Sequence, residues 1–344
     1  MMKQALAGAV LASIAVAGTA QARDQIRVVG SSTVYPFTTR VAEEFGRTTK
    51  FATPIIESTG TGGGFKLFCS GVGVNTPDVS NASRAIKKSE VESCAKAGVN
   101  GITEIKIGYD GIVLANSRQS KQMDITLEQL YRALAKDLPD GKGGFAPNPY
   151  KTWSEVDPSL PDARIEVLGP PPTSGTRDAF VELAMEGGCK KIDAIAALEK
   201  ADPDKFKAVC HGIREDGAYV EAGENDVLIV RKLEANPSAF GVFGYSFLEQ
   251  NQDKIQGSKI NGVADTYENI SSGDYPISRS LFIYVKKPHV GVIPGLQEFV
   301  VEFTSDKASG PEGYLADKGL IALPDEEREK YQQVAKELPN NVGM

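Results

Sequence analysis

The sequence predicts an α/β protein of two lobes, each a mixed sheet flanked by helices, with two crossing strands as the hinge between them. Short apolar strands alternate with helical stretches along the chain, which is typical of this class. Two long extended runs, 102–116 and 276–287, lie far apart in the sequence, and each can pass from one lobe to the other. A chain that leaves one lobe, builds a second and returns forms a cleft, where ligands commonly bind.

The first lobe is predicted from strands and helices at both ends of the chain. In order, they are a strand at 25–29, a helix at 36–47, a strand at 54–57, a short helix at 63–69, a strand and turn at 79–83, a helix at 89–97 and a mostly helical stretch at 290–344. The helix at 36–47 repeats apolar residues at helical spacing. This lobe is therefore expected to comprise residues 23–109 and 279–344.

The second lobe is predicted from the intervening residues, 110–278. Its elements are an amphipathic helix at 127–138, a Gly/Pro-rich loop at 139–149, a strand at 164–168, helices around 177–186 and 192–201, and an apolar segment at 227–233. The extended run at 102–116 is interrupted by Gly108-Tyr109-Asp110-Gly111, the point at which the chain is expected to leave the first lobe.

The composition is that of a soluble globular protein. Of the 344 residues, 41% are hydrophobic and 24% are charged, which excludes collagen-like, coiled-coil and bulk-disordered classes. The formal net charge of −7 argues against nucleic acid and anionic membrane surfaces as partners.

The first 22 residues have the pattern of a secretory signal peptide. Lys3 precedes an apolar stretch at 5–17, and Ala20-Gln21-Ala22 supplies a cleavage site before Arg23. A membrane anchor is the alternative, which the short apolar run disfavours. No cysteine lies near the cleavage site, which disfavours a lipoprotein. An exported, soluble protein is therefore expected.

Cysteine usage fits an oxidising compartment. The cysteines are Cys69, Cys94, Cys189 and Cys210. An even number after export favours disulfides, and pairing the first with the second and the third with the fourth closes two short loops. A metal site is the alternative, but there is no Cys-x-x-Cys spacing and His211 and His289 are the only histidines.

Four turns share one design, in which Gly, Ser or Thr stands just before a helix, at 30–36, 58–64, 80–84 and 173–177. A helix N-terminus leaves backbone N–H groups free and attracts an anion. One such turn is usually only a helix cap. Three in the first lobe and one in the second can converge on one oxyanion from both sides of a cleft.

Two arginines adjoin these turns. Arg84 follows the third turn and Arg177 lies in the fourth, so either could offer a guanidinium fork to an oxyanion. The alternative for each is an ion pair within the protein.

Five motifs together resemble a known family. They are Gly-Ser-Ser-Thr-Val-Tyr-Pro at 30–36, Thr-Gly-Thr-Gly-Gly-Gly-Phe-Lys at 59–66, Asn-Ala-Ser-Arg-Ala-Ile at 81–86, Gly-Tyr-Asp-Gly at 108–111 and Ser-Gly-Thr at 174–176. The chain resembles the periplasmic phosphate-binding proteins of bacterial phosphate ABC importers, two-lobe solute-binding proteins with a type II-like fold. The resemblance implies a monomer without cofactor that binds inorganic phosphate, delivers it to a membrane permease and catalyses no reaction.

The resemblance also implies a set of ligand contacts. Carried over position by position, they fall on Ser32, Thr33, Val34, Thr61, Gly62, Ser83, Arg84, Ser174, Gly175 and Thr176. Some members have Asp where this chain has Ser83, and Arg where it has Pro170-Pro171-Pro172. Arg84 could supply the missing positive charge. Asp110 or Asp178 could accept the phosphate proton, and Asp110 is preferred because it lies at the crossing between the lobes.

The sequence leaves two other functions open. The ligand could be a different oxyanion, such as sulfate or molybdate, held by the same turns. The protein could also be a secreted hydrolase of phosphate esters, although the sequence has no Gly-x-Ser-x-Gly elbow and no His-rich metal pattern.

Overall fold

The computed structural model describes residues 23–172, 174–223 and 226–342, so the predicted signal peptide lies outside the described residues. Within these ranges, no helix combines the length and the apolar composition needed to cross a bilayer.

The secondary structure follows the predicted alternation. The strands are β1 Arg27–Gly30, β2 Ile55–Ser58, β3 Val79–Ala82, β4 Ile102–Ser117, β5 Asp124–Ile125, β6 Asp137–Pro139, β7 Phe145–Pro147, β8 Val167–Gly169, β9 Tyr219–Glu221, β10 Phe240–Gly244, β11 Ile255–Gly257, β12 Lys259–Ile260 and β13 Ser278–Lys286. The α-helices are α1 Tyr35–Thr48, α2 Thr61–Phe68, α3 Lys88–Lys96, α4 Leu127–Leu134, α5 Trp153–Val156, α6 Gly175–Phe180, α7 Glu186–Cys189, α8 Asp193–Ala196, α9 Leu198–Ala201, α10 Pro203–His211, α11 Asp226–Ala235, α12 Tyr245–Gln250, α13 Tyr267–Ser272, α14 Leu296–Thr304, α15 Asp306–Ser309 and α16 Asp325–Glu337. A π-helical turn, Val181–Met185, joins α6 to α7.

The two crossing strands hold the sheet together. The strand order is β2-β1-β3-β13-β4-β10-β8-β9, and β11 also pairs with β4. The first part of β4, up to Gly111, pairs with β13, whereas its last part pairs with β10 and β11. One strand of 16 residues therefore belongs to the sheets of both lobes. The predicted α/β fold with two lobes and crossing strands is confirmed, and β4 continues through Gly108-Tyr109-Asp110-Gly111 without a break.

The buried apolar residues form separate clusters. One cluster takes its members from residues 109–277, together with Ile321 and Leu323. The other two take theirs from residues 26–107 and 281–338. The predicted lobe boundaries, at 109/110 and 278/279, stay a prediction, and they fall where membership of these clusters changes.

One helix prediction was too long. The helix predicted at 127–138 ends at Leu134, because the side-chain amide of Asn148 donates to the carbonyls of Arg132 and Ala135 at 2.7 and 2.8 Å. The next residues turn into β6, which pairs antiparallel with β7. The Gly/Pro-rich segment at 139–149, predicted as a loop, therefore closes a short hairpin.

The C-terminal segment packs on the hinge. Ile321 forms an antiparallel bridge with Tyr109, with N···O distances of 2.8 and 3.0 Å. Gly108 allows this approach, since an added Cβ there would lie 2.6 Å from the carbonyl oxygen of Ile321. The hydroxyl of Tyr109 donates to Glu327 at 2.9 Å. Residues near the end of the chain thus fix the strand at the point where it leaves the first lobe.

Each half of the chain contains one disulfide, which joins two helices. Cys69 is bonded to Cys94, and Cys189 to Cys210, which is the pairing that the spacing favoured. The first links the end of α2 to α3, and the second links α7 to α10. Loops of this length contribute about 3 kcal/mol each in the chain-entropy description.

One carboxylate oxygen of the second half is buried without a partner among the described residues. Oδ2 of Asp265 has no hydrogen bond to any described residue and lies against the backbone of Gly257. Burial raises the pKa of Asp265 to about 7, from an ordinary value of 3.8. Between these two pH values the folded state binds more protons than the unfolded state. The free energy of unfolding therefore falls as pH rises from 4 to 7, and stays lower above 7.

We expect Asp265→Asn to remove this dependence. Relative to the wild type, the variant should gain stability between pH 5 and pH 8, by up to a few kcal/mol. Urea unfolding at the two pH values measures the difference, and Asp253→Asn, at an exposed turn, is the control. A wild-type-to-variant difference that is the same at both pH values would contradict a protonated Asp265.

Candidate anion-binding site between the lobes

The first turn, residues 31–34, leads from β1 into α1. Gly30 has φ +131°, and a Cβ there would lie 2.2 Å from the carbonyl oxygen of Asn81, so only glycine allows this turn. Among the described residues, the N–H groups of Ser32 and Thr33 have no hydrogen-bond partner, whereas that of Val34 faces Ser31 Oγ at 3.4 Å. Two backbone donors at the start of α1 are thus free to bind a ligand.

The second and third turns touch each other. The hydroxyls of Thr61 and Ser83 lie 3.0 Å apart, and the N–H of Ser83 donates to Thr61 Oγ1 at 3.2 Å. An added Cβ on Gly62 would meet nothing within 4 Å, so its backbone is open to the cleft. Thr61, Gly62 and Ser83, predicted from two different motifs, therefore lie together.

The fourth turn approaches from the other lobe. Ser174 Oγ accepts the N–H of Thr176 at 3.2 Å, so the turn is held in the form of a helix cap. A Cβ added to Gly175 would lie 3.1 Å from the carbonyl oxygen of Ser32 and 3.2 Å from Cα of Thr33. The first and fourth turns are therefore in contact, and the cleft is closed at this point.

Arg279 connects the parts of the site. It stands at the start of β13, directly opposite Asp110 in the pairing with β4. Its Nη2 donates to Thr33 Oγ1 at 2.5 Å, and its Nη1 donates to Glu182 Oε2 at 2.6 Å. Its Nε lies 3.5 Å from Asp110 Oδ2. One guanidinium thus touches the first turn, the hinge and the second lobe.

The pair of Asp110 and Arg279 is buried but incompletely bonded. Only 10% of either side chain is exposed, and neither Asp110 Oδ2 nor Arg279 Nε forms a hydrogen bond within the described residues. Burial raises the pKa of Asp110, and the positive charge of Arg279 acts in the opposite direction. The site therefore contains a buried acceptor and a buried charged donor that are both available to a ligand.

The predicted arginines have other partners. Arg84 forms two hydrogen bonds with the carboxylate of Glu90, at 2.8 and 2.9 Å. Arg177 donates to the carbonyl of Pro170 at 3.2 Å and lies over the ring of Tyr219. A direct contact between Arg84 and a ligand stays a prediction.

Two cavities flank the contact between Arg279 and Thr33. One, of about 520 Å³, is lined by residues that include Thr33, Asp110, Ser174, Gly175 and Thr176. The other, of about 610 Å³, is lined by residues that include Thr61, Gly62, Ser83, Arg84, Glu182 and Arg279. The structure therefore brings most of the predicted residues to two sides of one guanidinium, whereas Ser32 and Val34 line neither cavity. Asp178, the alternative proton acceptor, lines neither cavity.

Neither Arg279 nor Glu182 belongs to the residues predicted from the sequence. The sequence does contain a sign of Arg279, because this charged residue stands near the start of one crossing run and Asp110 lies in the other. No local motif distinguishes Glu182 from other glutamates on helices.

A family model described as the PBP superfamily domain matches residues 15–307. The chain belongs to this superfamily. The phosphate-binding protein PstS of Staphylococcus saprophyticus is 30% identical over 333 residues, which cover 95% of this chain and 88% of that protein. The protein SphX of Synechococcus elongatus is 32% identical, over 75% of this chain and 67% of that protein.

Solved structures agree with the superfamily assignment. A possible phosphate-binding protein from Planctomyces limnophilus superposes with a TM-score of 0.71 and 28% identity, covering 91% of this chain and 98% of that chain. A phosphate transport receptor from Vibrio cholerae, with a TM-score of 0.56 and 18% identity over 87% of this chain and all of that one, shows the same fold. The family that the sequence motifs resembled is thereby confirmed.

Proposed function

We propose that this PBP-superfamily chain binds inorganic phosphate outside the cytoplasm and delivers it to the membrane permease of an ABC importer, without catalysing a reaction. The observation that carries the proposal is the buried pair of Asp110 and Arg279, which leaves one acceptor and one charged donor open between the anion-binding turns of two lobes. The phosphate-binding names of its relatives support the same ligand.

The chemistry of phosphate matches this pair. At neutral pH phosphate keeps a proton, so a complete site needs donors for its oxygens and an acceptor for its OH. Arg279 and the free N–H groups of Ser32 and Thr33 would be donors. Asp110 would accept the proton. Sulfate has no proton to donate, so a buried carboxylate repels it.

The two departures from the family pattern then have a common explanation. Ser83 stands where some members have the proton-accepting Asp, and prolines stand where some have an Arg. Asp110 would replace the missing Asp and Arg279 the missing Arg, and both stand on the crossing strands. Thr61, Gly62 and Ser83 would complete the site from the first lobe.

The proposed function places the protein in the periplasm, with a membrane permease as its partner. Residues 1–22 would direct export to the periplasm and be removed there, and two disulfides fit an oxidising compartment. The mature chain would meet the permease as a monomer, with the lobes closed on the anion.

Titration calorimetry tests the function directly. The mature chain should bind phosphate with one-to-one stoichiometry, and sulfate and molybdate should give little heat at the same concentration. If the protein binds another oxyanion more tightly, that oxyanion and not phosphate is its ligand. Turnover of a chromogenic phosphate ester would instead favour a hydrolase.

We expect Asp110→Asn to weaken the preference for phosphate. The amide can donate to sulfate, whereas the carboxylate repels it, and a site built around a ligand OH can discriminate by about 10⁴. Competition of sulfate against phosphate measures the preference. Asp178→Asn is the matched control, because Asp178 lines neither cavity. If the selectivity survives in Asp110→Asn but is lost in Asp178→Asn, the acceptor of the phosphate proton is Asp178 on α6.

We expect Arg279→Ala to lower phosphate affinity by at least about 100-fold, since hydrogen bonds to charged groups are worth about 1.5–3 kcal/mol each. Arg279→Lys should recover part of the loss, because a point charge lacks the fork. Calorimetry on Arg84→Ala tests the arginine predicted from sequence, and Arg132→Ala, paired with Glu128 on α4, is the control. An unchanged affinity in Arg279→Ala would remove Arg279 from the site.

A further inference from the structure

Arg279 has one partner that the proposed site does not use. Thr33 and Asp110 are placed to contact the ligand, but Glu182 adds a second carboxylate on the same guanidinium, with Oε2 at 2.6 Å from Nη1. Glu182 lies on the π-helical turn Val181–Met185, and about half of its side chain is exposed. Such turns are rare and often occur at functional sites.

We propose that Glu182 is a built-in competitor of the ligand: it binds Arg279 across the cleft while the site is empty and is displaced when the anion enters. This inference rests on the proposed phosphate function. Without displacement, Glu182, Asp110 and a phosphate dianion would surround one cation, and like charges within a few ångströms repel strongly in a partly buried site.

The surroundings of Glu182 allow it to leave Arg279. Lys207 lines the same cavity, is exposed and forms no ion pair within the described ranges. The other arginine of that cavity, Arg84, is already paired with Glu90. A displaced Glu182 would therefore face one cation without a partner, at the solvent side of the cavity.

The contact also links the lobes. Glu182 belongs to the helical segment of the second lobe, whereas Arg279 stands on a crossing strand and bonds Thr33 of the first turn. The hydrogen bonds from Arg279 to Glu182 and to Thr33 thus span the cleft. The ion pair of Glu182 with Arg279 would restrain the two lobes before the ligand binds. It would also reduce affinity, because the ligand must break this ion pair to form its own with Arg279.

Glu182→Gln tests both consequences. In phosphate-free buffer, small-angle scattering should show a larger radius of gyration than that of the wild type, since a neutral amide holds Arg279 less tightly. Calorimetry should show phosphate binding about fivefold tighter, in line with the strength of a half-exposed ion pair. Glu182→Ala should change both quantities in the same direction, which separates loss of charge from the new amide.

Glu186→Gln is the matched control. Glu186 stands four residues further along the same helical segment and lines the same cavity, but it bonds His211 and Lys190 instead of Arg279. Its variant should leave the ligand-free dimensions and the phosphate affinity unchanged.

Both measurements must change for the proposal to stand. Weaker phosphate binding in Glu182→Gln would make Glu182 a residue that positions Arg279, and would overturn the competitor role. Unchanged dimensions of the ligand-free variant would overturn the contact across the lobes. If the wild type does not bind phosphate, the proposed function fails, and the ligand-free scattering still decides whether Glu182 holds the lobes together.

Discussion

The ion pair between Asp110 and Arg279 is the interaction on which the cleft depends. The two residues face each other across β4 and β13, so the pairing of the crossing strands fixes their separation. Both are nearly buried, and removal of one partner from a buried pair costs about 3–5 kcal/mol, because the other charge is left alone. The hinge therefore carries a charged centre that neither lobe supplies by itself.

This position differs from that of charged groups carried on the turns of the lobes. A charge on a turn belongs to one lobe alone, whereas Asp110 and Arg279 lie opposite each other on paired strands. The lobes then contribute mainly hydroxyls and backbone N–H groups, at Ser32, Thr33 and the turn at 174–176. Under the proposed function, the charged pair on the crossing strands stays in place, and the turns of the two lobes add neutral donors to it.

Much of this arrangement could be predicted from the sequence, because the signals are local. The turns that precede helices, the extended runs and the short cysteine loops each lie within a few tens of residues, and all have counterparts in the structure. Arg279 could not be assigned in this way, since its role depends on the register between β4 and β13. Arg84 stands in a family motif, yet its guanidinium forms an ion pair with Glu90 on the next helix. The end of α4 likewise depends on Asn148, a residue inside the predicted loop whose contact with the helix no local pattern shows.

The position of β13 in the sheet also sets an order of folding. β13 lies between β3 and β4, so the first lobe lacks a central strand until residues near 280 are present. Before then β3 has an open edge, and open edges of sheets associate readily with other chains. The apolar cluster at 109–277 needs only Ile321 and Leu323 from the later part of the chain, so most of it can form earlier. Under the proposed function, the chain would cross the membrane with its N-terminal lobe incomplete, and it would gain by remaining unfolded until its last quarter has emerged.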